Sequence, residues 1–352
     1  MPNGLMQKEN PLHAEVVEDG AARGHEKRLD RYSTAKARQK QLTDFIIKQN
    51  HGSDNPSYQK ELRALVECGS FLIFRHYLKP DVFKLRGGCT CKKHLLCALC
   101  AIRRAARSIA VATEKLDHVL QFGDYDAFFV TLTVKNGPDL AERFEHLISG
   151  YKALLQKRRN SRKKKPLTDT CYRIVEGAFA AYEVTYNNKD LEYHPHLHSV
   201  VLIPRGLLRT TDCEVKKKTV QVPLQFWKQL SEEWQSITGD SFIVDVRKID
   251  SKEDTIQALV ECFKYALKMQ NLDPEIQLHC YDVLKGRRLH TSFGCLYGLK
   301  LEDNTNDELL AEDLEYIDML YKYSEGFGYQ LMPSTCLSDN LVFKITIGHS
   351  LD

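Results

Sequence analysis

Three histidines alternate along residues 194–198, which run directly into the apolar segment 199–203. Because successive side chains of a β-strand point to opposite faces, His194, His196 and His198 are expected on one face of a strand. Imidazole is the commonest protein ligand of divalent metals, and two imidazoles two residues apart leave positions on the ion open for a substrate. A half-buried strand with surface histidines is the structural alternative. Three histidines in five residues favour the metal site.

A cysteine-rich segment precedes the histidines, at residues 68–104. Residues 89–100 contain four cysteines and a histidine, and Cys97 and Cys100 have the Cys-x-x-Cys spacing that holds one zinc ion. Packing of free cysteines as small apolar side chains is the alternative, which the lysines and the histidine between them disfavour. We therefore predict a structural Zn²⁺ site. The remaining ligands have two candidates each: Cys89 or Cys91 for the third, and Cys68 or His94 for the fourth.

A helix predicted over residues 254–270 carries a second candidate group opposite its apolar stripe. At about 100° per residue, Tyr265 falls opposite the stripe, with Glu261 and Lys268 roughly one turn to either side. Near a metal, a tyrosine hydroxyl can attack a phosphodiester and form a covalent intermediate, and a carboxylate can deprotonate a water. An exposed helix face with a Glu–Lys pair is the structural alternative. The stripe consists of Ile256, Leu259, Val260, Phe263 and Leu267.

Composition restricts the class of protein. The chain has 352 residues, a net charge of +3 and eleven cysteines. It has no apolar run long enough to span a membrane and no secretory signal at its polar start. We therefore expect a cytoplasmic protein in a reducing compartment, where cysteines are thiols or metal ligands.

Two basic stretches are candidate phosphate contacts. Residues 157–165 carry seven basic residues in nine and are predicted as a loop that follows a helix over 140–156. Arginines also begin the helix that is predicted after the cysteines. A solvated loop and a solvated helix face explain these charges equally well. The candidate DNA contacts are Arg103, Arg104, Arg158, Arg159, Lys163 and Lys164.

Strands and helices alternate through the middle of the chain, which indicates an α+β fold with at least four strands. No glycine-rich phosphate-binding fingerprint is present. Besides the histidine strand, the predicted strands are 128–134, 179–186 and 242–247, and the predicted helices include 105–122, 140–156, 224–239 and 254–270.

Taken together, these motifs resemble the plasmid rolling-circle replication initiators, members of the endonuclease superfamily with a His-hydrophobic-His (HUH) motif. Residues 129–134 resemble the first motif, a strand with Thr-Leu-Thr, and residues 196–198 resemble the metal motif. Residues 265–268 are similar to the Tyr-x-x-Lys catalytic motif. Glu261 matches the subgroup that pairs the tyrosine with a glutamate, and the upstream cysteines resemble a segment of that subgroup. The order and spacing agree over residues 68–270.

The resemblance implies a central antiparallel sheet flanked by helices, with the metal histidines on a central strand and a zinc-binding N-terminal module. Together with composition, it divides the chain into four parts. Glycine, proline and charge predict a flexible N-terminus with a basic helical segment (1–66), and the resemblance implies the zinc module (67–122) and an HUH endonuclease domain (123–300), which leave a C-terminal segment (301–352).

The resemblance also implies a reaction, the nicking of one DNA strand at a plasmid origin. Tyr265 would form a 5′-phosphotyrosine and leave a 3′-OH primer, and Glu261 would activate a water at termination, after strand transfer. Lys268 would balance charge. The implied partners are single-stranded or supercoiled origin DNA and a host helicase.

The implied catalytic cofactor is Mg²⁺ or Mn²⁺, held by His196 and His198. Glu183 and His194 are the candidates for a third ligand, and a carboxylate beside two imidazoles suits either metal. Glu183 lies in a segment that resembles the strand before the metal motif.

Two other classes share some of these features. Conjugative relaxases and single-strand transposases of the same superfamily also have the histidine pair and the tyrosine. A zinc-dependent DNA-binding protein with purely structural histidines would not be an enzyme. Nicking of supercoiled plasmid with covalent capture of the protein separates the enzymes from the binder.

Overall fold

A computed structural model describes residues 22–53, 56–163, 169–215, 218–264, 268–298, 307, 309–310 and 314–333. These residues form two compact units. The first comprises the described parts of Met1–Ser108, Gln270–Leu278 and Glu302–Asp352, and the second those of Ile109–Met269 and His279–Leu301. Within the described part of the chain, no helix is long and apolar enough to cross a membrane.

The helices in chain order are Ala22–Asn50 (α1), Gln59–Glu67 (α2), Ala98–Phe122 (α3), Leu140–Arg162 (α4), Leu224–Thr238 (α5), Lys252–Phe263 (α6) and Pro274–Leu284 (α7), with a 3₁₀ turn at Cys171–Ile174. The strands are Phe71–Tyr77 (β1), Val82–Gly88 (β2), Tyr125–Thr133 (β3), Gly177–Asn187 (β4), Glu192–Pro204 (β5), Thr211–Val215 (β6), Lys218–Val222 (β7), Val244–Ile249 (β8), His290–Gly294 (β9), Tyr316–Ser324 (β10) and Gly328–Leu331 (β11).

The first unit is built on an antiparallel sheet with the strand order β11-β10-β1-β2. A buried ion network ties Asp307 to this unit. The Asp307 carboxylate accepts from Arg28 of α1 at 2.9 Å and from the backbone N–H of Leu85 at 2.6 Å, and it also pairs with Arg103 of α3. Because both arginines are buried, the carboxylate supplies the charge that makes their burial tolerable.

The second unit is built on a five-stranded antiparallel sheet with the order β8-β3-β5-β4-β9. The histidine strand β5 is therefore central, and its apolar half is buried. Helices cover both faces. On one face the ring of Phe144 in α4 lies 5.8 Å from that of Tyr182, and on the other Phe263 in α6 lies 5.1 Å from Phe179. The predicted fold class, an α+β protein with a central antiparallel sheet flanked by helices, is confirmed.

The basic segment does not form the predicted loop over its first residues, because α4 continues to Arg162. Lysine and arginine are good helix formers, and the buried stripe of this helix extends through Leu154 to Arg158 and Ser161. The guanidinium of Arg158 donates to the backbone oxygen of Val175 at 2.8 and 2.5 Å. Residues 164–168 lie outside the described residues.

Two other elements differ from the sequence prediction. Helix α6 ends at Phe263 instead of Gln270, with Lys264 as its C-cap. The buried face of α6 includes Leu259, Val260 and Phe263 of the predicted stripe together with Thr255, Ala258 and Cys262, because the helix packs against the sheet over a broad arc. Ile256 of the stripe is only half-buried, and Leu267 lies outside the described residues. Strand β8 begins at Val244, so Phe242 and its neighbour precede the strand and stay exposed.

Candidate metal and catalytic site

The strand register brings two of the three histidines to a buried carboxylate. Glu183 of β4 lies directly opposite His196 of β5. The Nε2 atoms of His196 and His198 lie 3.2 and 3.0 Å from Oε2 of Glu183. All three side chains are buried, and their ligand atoms lie within 4.8 Å of one another. One carboxylate and two imidazoles on one face of the sheet are a ligand set that fits a divalent cation.

The polar atoms of this group are buried but incompletely satisfied. Both carboxylate oxygens of Glu183 and Nε2 of His198 make no hydrogen bond of acceptable geometry to the described residues, although they lie within ion-pair distance of one another. Buried polar atoms without hydrogen bonds are costly, so they call for a ligand. Atoms that converge without bonding to each other fit a shared cation, which satisfies them together.

The protonation states also suit metal binding. Burial alone raises the pKa of Glu183, but the contacts with His196 and His198 and the charge of Lys268 outweigh it and hold that pKa well below its usual range. Burial lowers the pKa of His198, although Glu183 opposes the effect. Near neutral pH Glu183 is therefore ionised and His198 neutral, which are the forms that coordinate metals.

Neighbouring groups fix the imidazole rings of both histidines. Thr131 of β3 lies opposite His198, and its Oγ1 is 3.0 Å from Nδ1 of that ring. Nδ1 of His196 donates to the backbone oxygen of His194 at 3.1 Å. Both contacts leave Nε2 directed at Glu183, as partners of metal-binding histidines typically do. The side chain of His194 is not part of the group, and burial lowers its pKa.

Of the predicted catalytic residues, Lys268 contacts this group directly, and Glu261 pairs with a neighbouring lysine. Nζ of Lys268 pairs with the Oε1 atom of Glu183, so this lysine reaches the metal group itself. Glu261 on α6 pairs with Lys264, and the positive charge of Lys264 contributes to the lowered pKa of His198. Tyr265 lies outside the described residues.

The structure brings together four cysteines of the first unit. The sulfur of Cys68 lies 3.5 Å from that of Cys97 and 3.6 Å from that of Cys100, and Cys91 lies 3.7 Å from Cys100. Four Zn–S bonds of about 2.3 Å in a tetrahedron place the sulfurs roughly 3.8 Å apart. The four sulfurs therefore fit a closed zinc site.

Backbone and side-chain contacts support this cysteine group. The N–H of Cys91 donates to the sulfur of Cys68 at 3.3 Å, and that of Cys100 donates to the sulfur of Cys97 at 3.5 Å. Lys36 of α1 donates to the backbone oxygens of Val66 and Cys68. These bonds hold the loops that present the sulfurs, and Lys36 places a positive charge beside four potential thiolates.

Two of the candidate zinc ligands lie outside the cysteine group. The backbone of Cys89 pairs with Phe71 and Gly69, which directs the chain past the cluster, and its sulfur is not among the four. Nη1 of Arg104 lies 2.8 Å from Nδ1 of His94 and also contacts Nε2 of that ring. The sequence left these choices open because spacing alone does not show which way each side chain points.

The predicted DNA contacts fall into two groups. Arg103 and Arg158 are buried and bonded within the protein, so they do not offer their charges to a phosphate. Arg104 is partly exposed beside His94, and Arg159 and Lys163 are exposed at the end of α4. Lys164 lies outside the described residues.

Two further residues share the face of the metal group, and sequence analysis missed them. Asp245 and Arg247 on β8 are the register partners of Thr131 and Phe129, and they form an ion pair of 2.7 Å. Because they are two residues apart in a predicted strand, the sequence already indicated that both side chains lie on one face. Thr131 was noticed within its motif, but its contact with His198 required the register of β3 on β5.

Comparison with known proteins shows that this chain matches one protein family. The sequence profile of the replication protein family (Rep_1) matches residues 82–330. The chain is 25% identical to "Protein rep" of Staphylococcus aureus over 240 residues, which cover 68% of this chain and 93% of that protein. It is 33% identical to "Protein rep" of Bacillus amyloliquefaciens over 280 residues, or 72% and 76% of the two chains. No solved structure matches the chain.

The family profile covers more than half of the chain, including β2 through β11 and therefore both candidate metal groups apart from Cys68. It agrees with the resemblance based on the motifs alone. The chain belongs to the replication protein family and is a plasmid rolling-circle replication initiator.

Proposed function

We propose that this initiator nicks one strand of its plasmid origin by a metal-assisted transesterification. The observation that carries the proposal is the buried group of Glu183, His196 and His198, in which both carboxylate oxygens and Nε2 of His198 make no hydrogen bond to the part of the chain that the structure describes. The group lies on the central strands of the sheet. In a replication initiator, a site for a divalent cation is suited to a phosphodiester of origin DNA.

The nucleophile we propose is the hydroxyl of Tyr265. Its oxygen forms a bond to the scissile phosphorus while the bond from phosphorus to the 3′ oxygen breaks. The protein then carries the 5′ phosphate as a tyrosine ester, and the released 3′ oxygen takes up a proton and becomes a primer terminus. Mg²⁺ or Mn²⁺ at the site would polarise the phosphate as a Lewis acid.

The remaining residues have separable roles in this proposal. Glu183, His196 and His198 hold the cation, and Lys268 next to Glu183 balances negative charge when the phosphate arrives. Glu261 deprotonates the water that ends the last cleavage, so that one tyrosine suffices. The four-cysteine group binds Zn²⁺ as a structural ion. A host helicase separates the strands.

Plasmid nicking in Mn²⁺ tests the proposal. Wild-type protein is expected to relax supercoiled origin plasmid and to remain covalently attached to one strand. Tyr265→Phe is expected to lose both nick and adduct, because the ring stays and the nucleophilic oxygen goes. The double variant His196→Ala/His198→Ala is expected to lose nicking with the fold intact by circular dichroism.

The exposed residue His118 on α3 offers a matched control, and His118→Ala is expected to nick as wild type does. Retardation of DNA without any nick would show a non-catalytic DNA-binding protein instead. Nicking by the double histidine variant in Mg²⁺ would remove the metal role. Mass spectrometry of the adduct on a single-stranded oligonucleotide identifies the attacking residue directly.

A further inference from the structure

An open cavity of about 330 Å³ lies beside the candidate metal group, where β3 ends and β5 begins. Thr133 lines it and is the register partner of His196, and His194 also lines it. The cavity is therefore adjacent to the atoms that would hold the scissile phosphate. Its size is at the lower end of the range of about 300–1,000 Å³ for small-molecule sites.

Two apolar side chains in this cavity face solvent. Phe242 and Ile243 are each 61% exposed. Their backbone is nevertheless fixed by hydrogen bonds: Ser231 Oγ donates to the oxygen of Phe242 at 2.5 Å, and Thr133 Oγ1 donates to that of Ile243 at 3.1 Å. The buried Ser241 also accepts from the N–H of Ile243 at 3.3 Å. The structure thus holds an apolar surface in place without covering it, which is typical of a binding site.

The charges around the cavity favour an uncharged ligand. Lys135 is the one lysine or arginine among the described lining residues, and Glu192 and Asp240 oppose it. Asp240 is itself paired with Arg143 at 2.8 Å. A phosphate would meet this mixed charge poorly. A nucleobase has flat apolar faces for Phe242 and a polar edge for the amide of Asn136 or the carboxylate of Glu192.

We propose that this cavity binds one unpaired base of the origin strand next to the scissile phosphate, with Phe242 stacked on the base. The proposal rests on the proposed nicking function, and it adds a binding subsite to it. Stacking in the cavity would hold one nucleotide and so fix which phosphodiester lies at Glu183, His196 and His198.

Binding of single-stranded DNA tests this subsite without any chemistry. The probe is a short fluorescein-labelled oligonucleotide centred on the nick mapped in the plasmid assay. Binding is measured without added Mg²⁺ or Mn²⁺ and without a chelator, which would also remove the proposed structural zinc. Phe242→Ala is expected to weaken binding roughly 5- to 150-fold, the usual effect of losing one stacked base. Phe242→Trp is expected to bind as wild type does. Phe122→Ala is the control, because Phe122 is also an exposed aromatic, 74% accessible, in the same unit.

An abasic scan then identifies the base. At one position next to the nick, an abasic nucleotide is expected to weaken binding by wild type but not by Phe242→Ala, because both changes remove the same contact. If Phe242→Ala binds the oligonucleotide as tightly as wild type does, the subsite is overturned. This result would also be found if Phe242 were instead covered by a partner protein. The absence of any shared position also overturns the subsite. If wild type nicks normally and either result is found, only the subsite falls. If wild type does not nick in the plasmid assay, the proposed function falls and the subsite falls with it.

Discussion

At the scale of single residues, the metal group depends on neighbours that orient its imidazoles. The sequence predicted that His196 and His198 share a face, because alternation along a strand follows from local geometry alone. It could not show that Thr131 contacts His198, since that contact depends on how β3 pairs with β5. The same register makes Glu183, rather than His194, the third member of the group.

Thr131→Val tests the orienting contact. The substitution keeps the β-branched shape and removes the oxygen that lies 3.0 Å from Nδ1 of His198. Loss of such a partner typically weakens metal binding by about 10- to 100-fold. Titration calorimetry with Mn²⁺ measures this affinity without DNA, and the exposed Thr219→Val is the control. Unchanged Mn²⁺ affinity in Thr131→Val would show that the threonine only packs.

Glu261 has two possible roles, and its ion pair with Lys264 makes the distinction necessary. We predict that Glu261→Ala still nicks and forms the adduct, because neither step needs a base for water. Its defect is expected at termination, as over-long multimeric single strands in cells. Lys264→Ala breaks the same ion pair and is the matched control. Wild-type yields of monomeric circles from Glu261→Ala would reduce this residue to a surface contact worth roughly 0.3–0.5 kcal/mol.

At the scale of elements, sequence periodicity predicted which strands and helices exist better than where they end. The strand over 128–134 and the helix over 224–239 are close to β3 and α5. The extension of α4 through the basic segment was missed because charge suggested solvent, whereas Arg158 bonds to a backbone oxygen in the interior. Local sequence patterns do not predict tertiary contacts of this kind.

The packing of α1 on the first sheet predicts a pH dependence. His25 of α1 stacks on Phe83 at 3.9 Å and contacts the Tyr321 hydroxyl at 3.0 Å. Burial, together with the charges of Arg28 and His76, lowers the pKa of His25 to about 4. Between about pH 6.5 and 4, the unfolded chain therefore binds a proton that the folded chain does not, and stability falls as the pH falls.

The pKa of His25 is 6.5 in the unfolded chain and about 4 in the folded chain. This difference limits the loss of folding free energy to about 3 kcal/mol, and screening by nearby solvent reduces the loss to about 1–2 kcal/mol. Urea unfolding at pH 7 and pH 4.5 measures it. His25→Gln removes the titrating ring, so its stability should change less between these pH values than that of wild type. His51→Gln changes an exposed histidine and should keep the wild-type difference. If the stability of His25→Gln changed between pH 7 and pH 4.5 as much as that of wild type, the pH dependence would come from other groups.

At the scale of the whole molecule, each unit has its own antiparallel sheet and its own candidate metal group. The cysteine group belongs to the first unit and the Glu183 group to the second. This division makes the cysteine group separable from the Glu183 group by spectroscopy, since both tryptophans of the chain, Trp227 and Trp234, lie in the second unit.

We predict that loss of zinc unfolds structure in the first unit while the tryptophans stay in place. Cys97→Ser removes a buried member of the cysteine group, whereas Cys89→Ser changes a cysteine outside it. Elemental analysis should find one zinc per chain in wild type and Cys89→Ser, and little in Cys97→Ser.

Because a structural zinc site contributes folding free energy directly, Cys97→Ser should lose helical circular dichroism. The tryptophan emission maximum, to which the fully buried Trp234 and the partly exposed Trp227 both contribute, should not move. A red shift in Cys97→Ser would show that the two units unfold together, and zinc-free wild-type protein with full helical signal would remove the zinc site altogether.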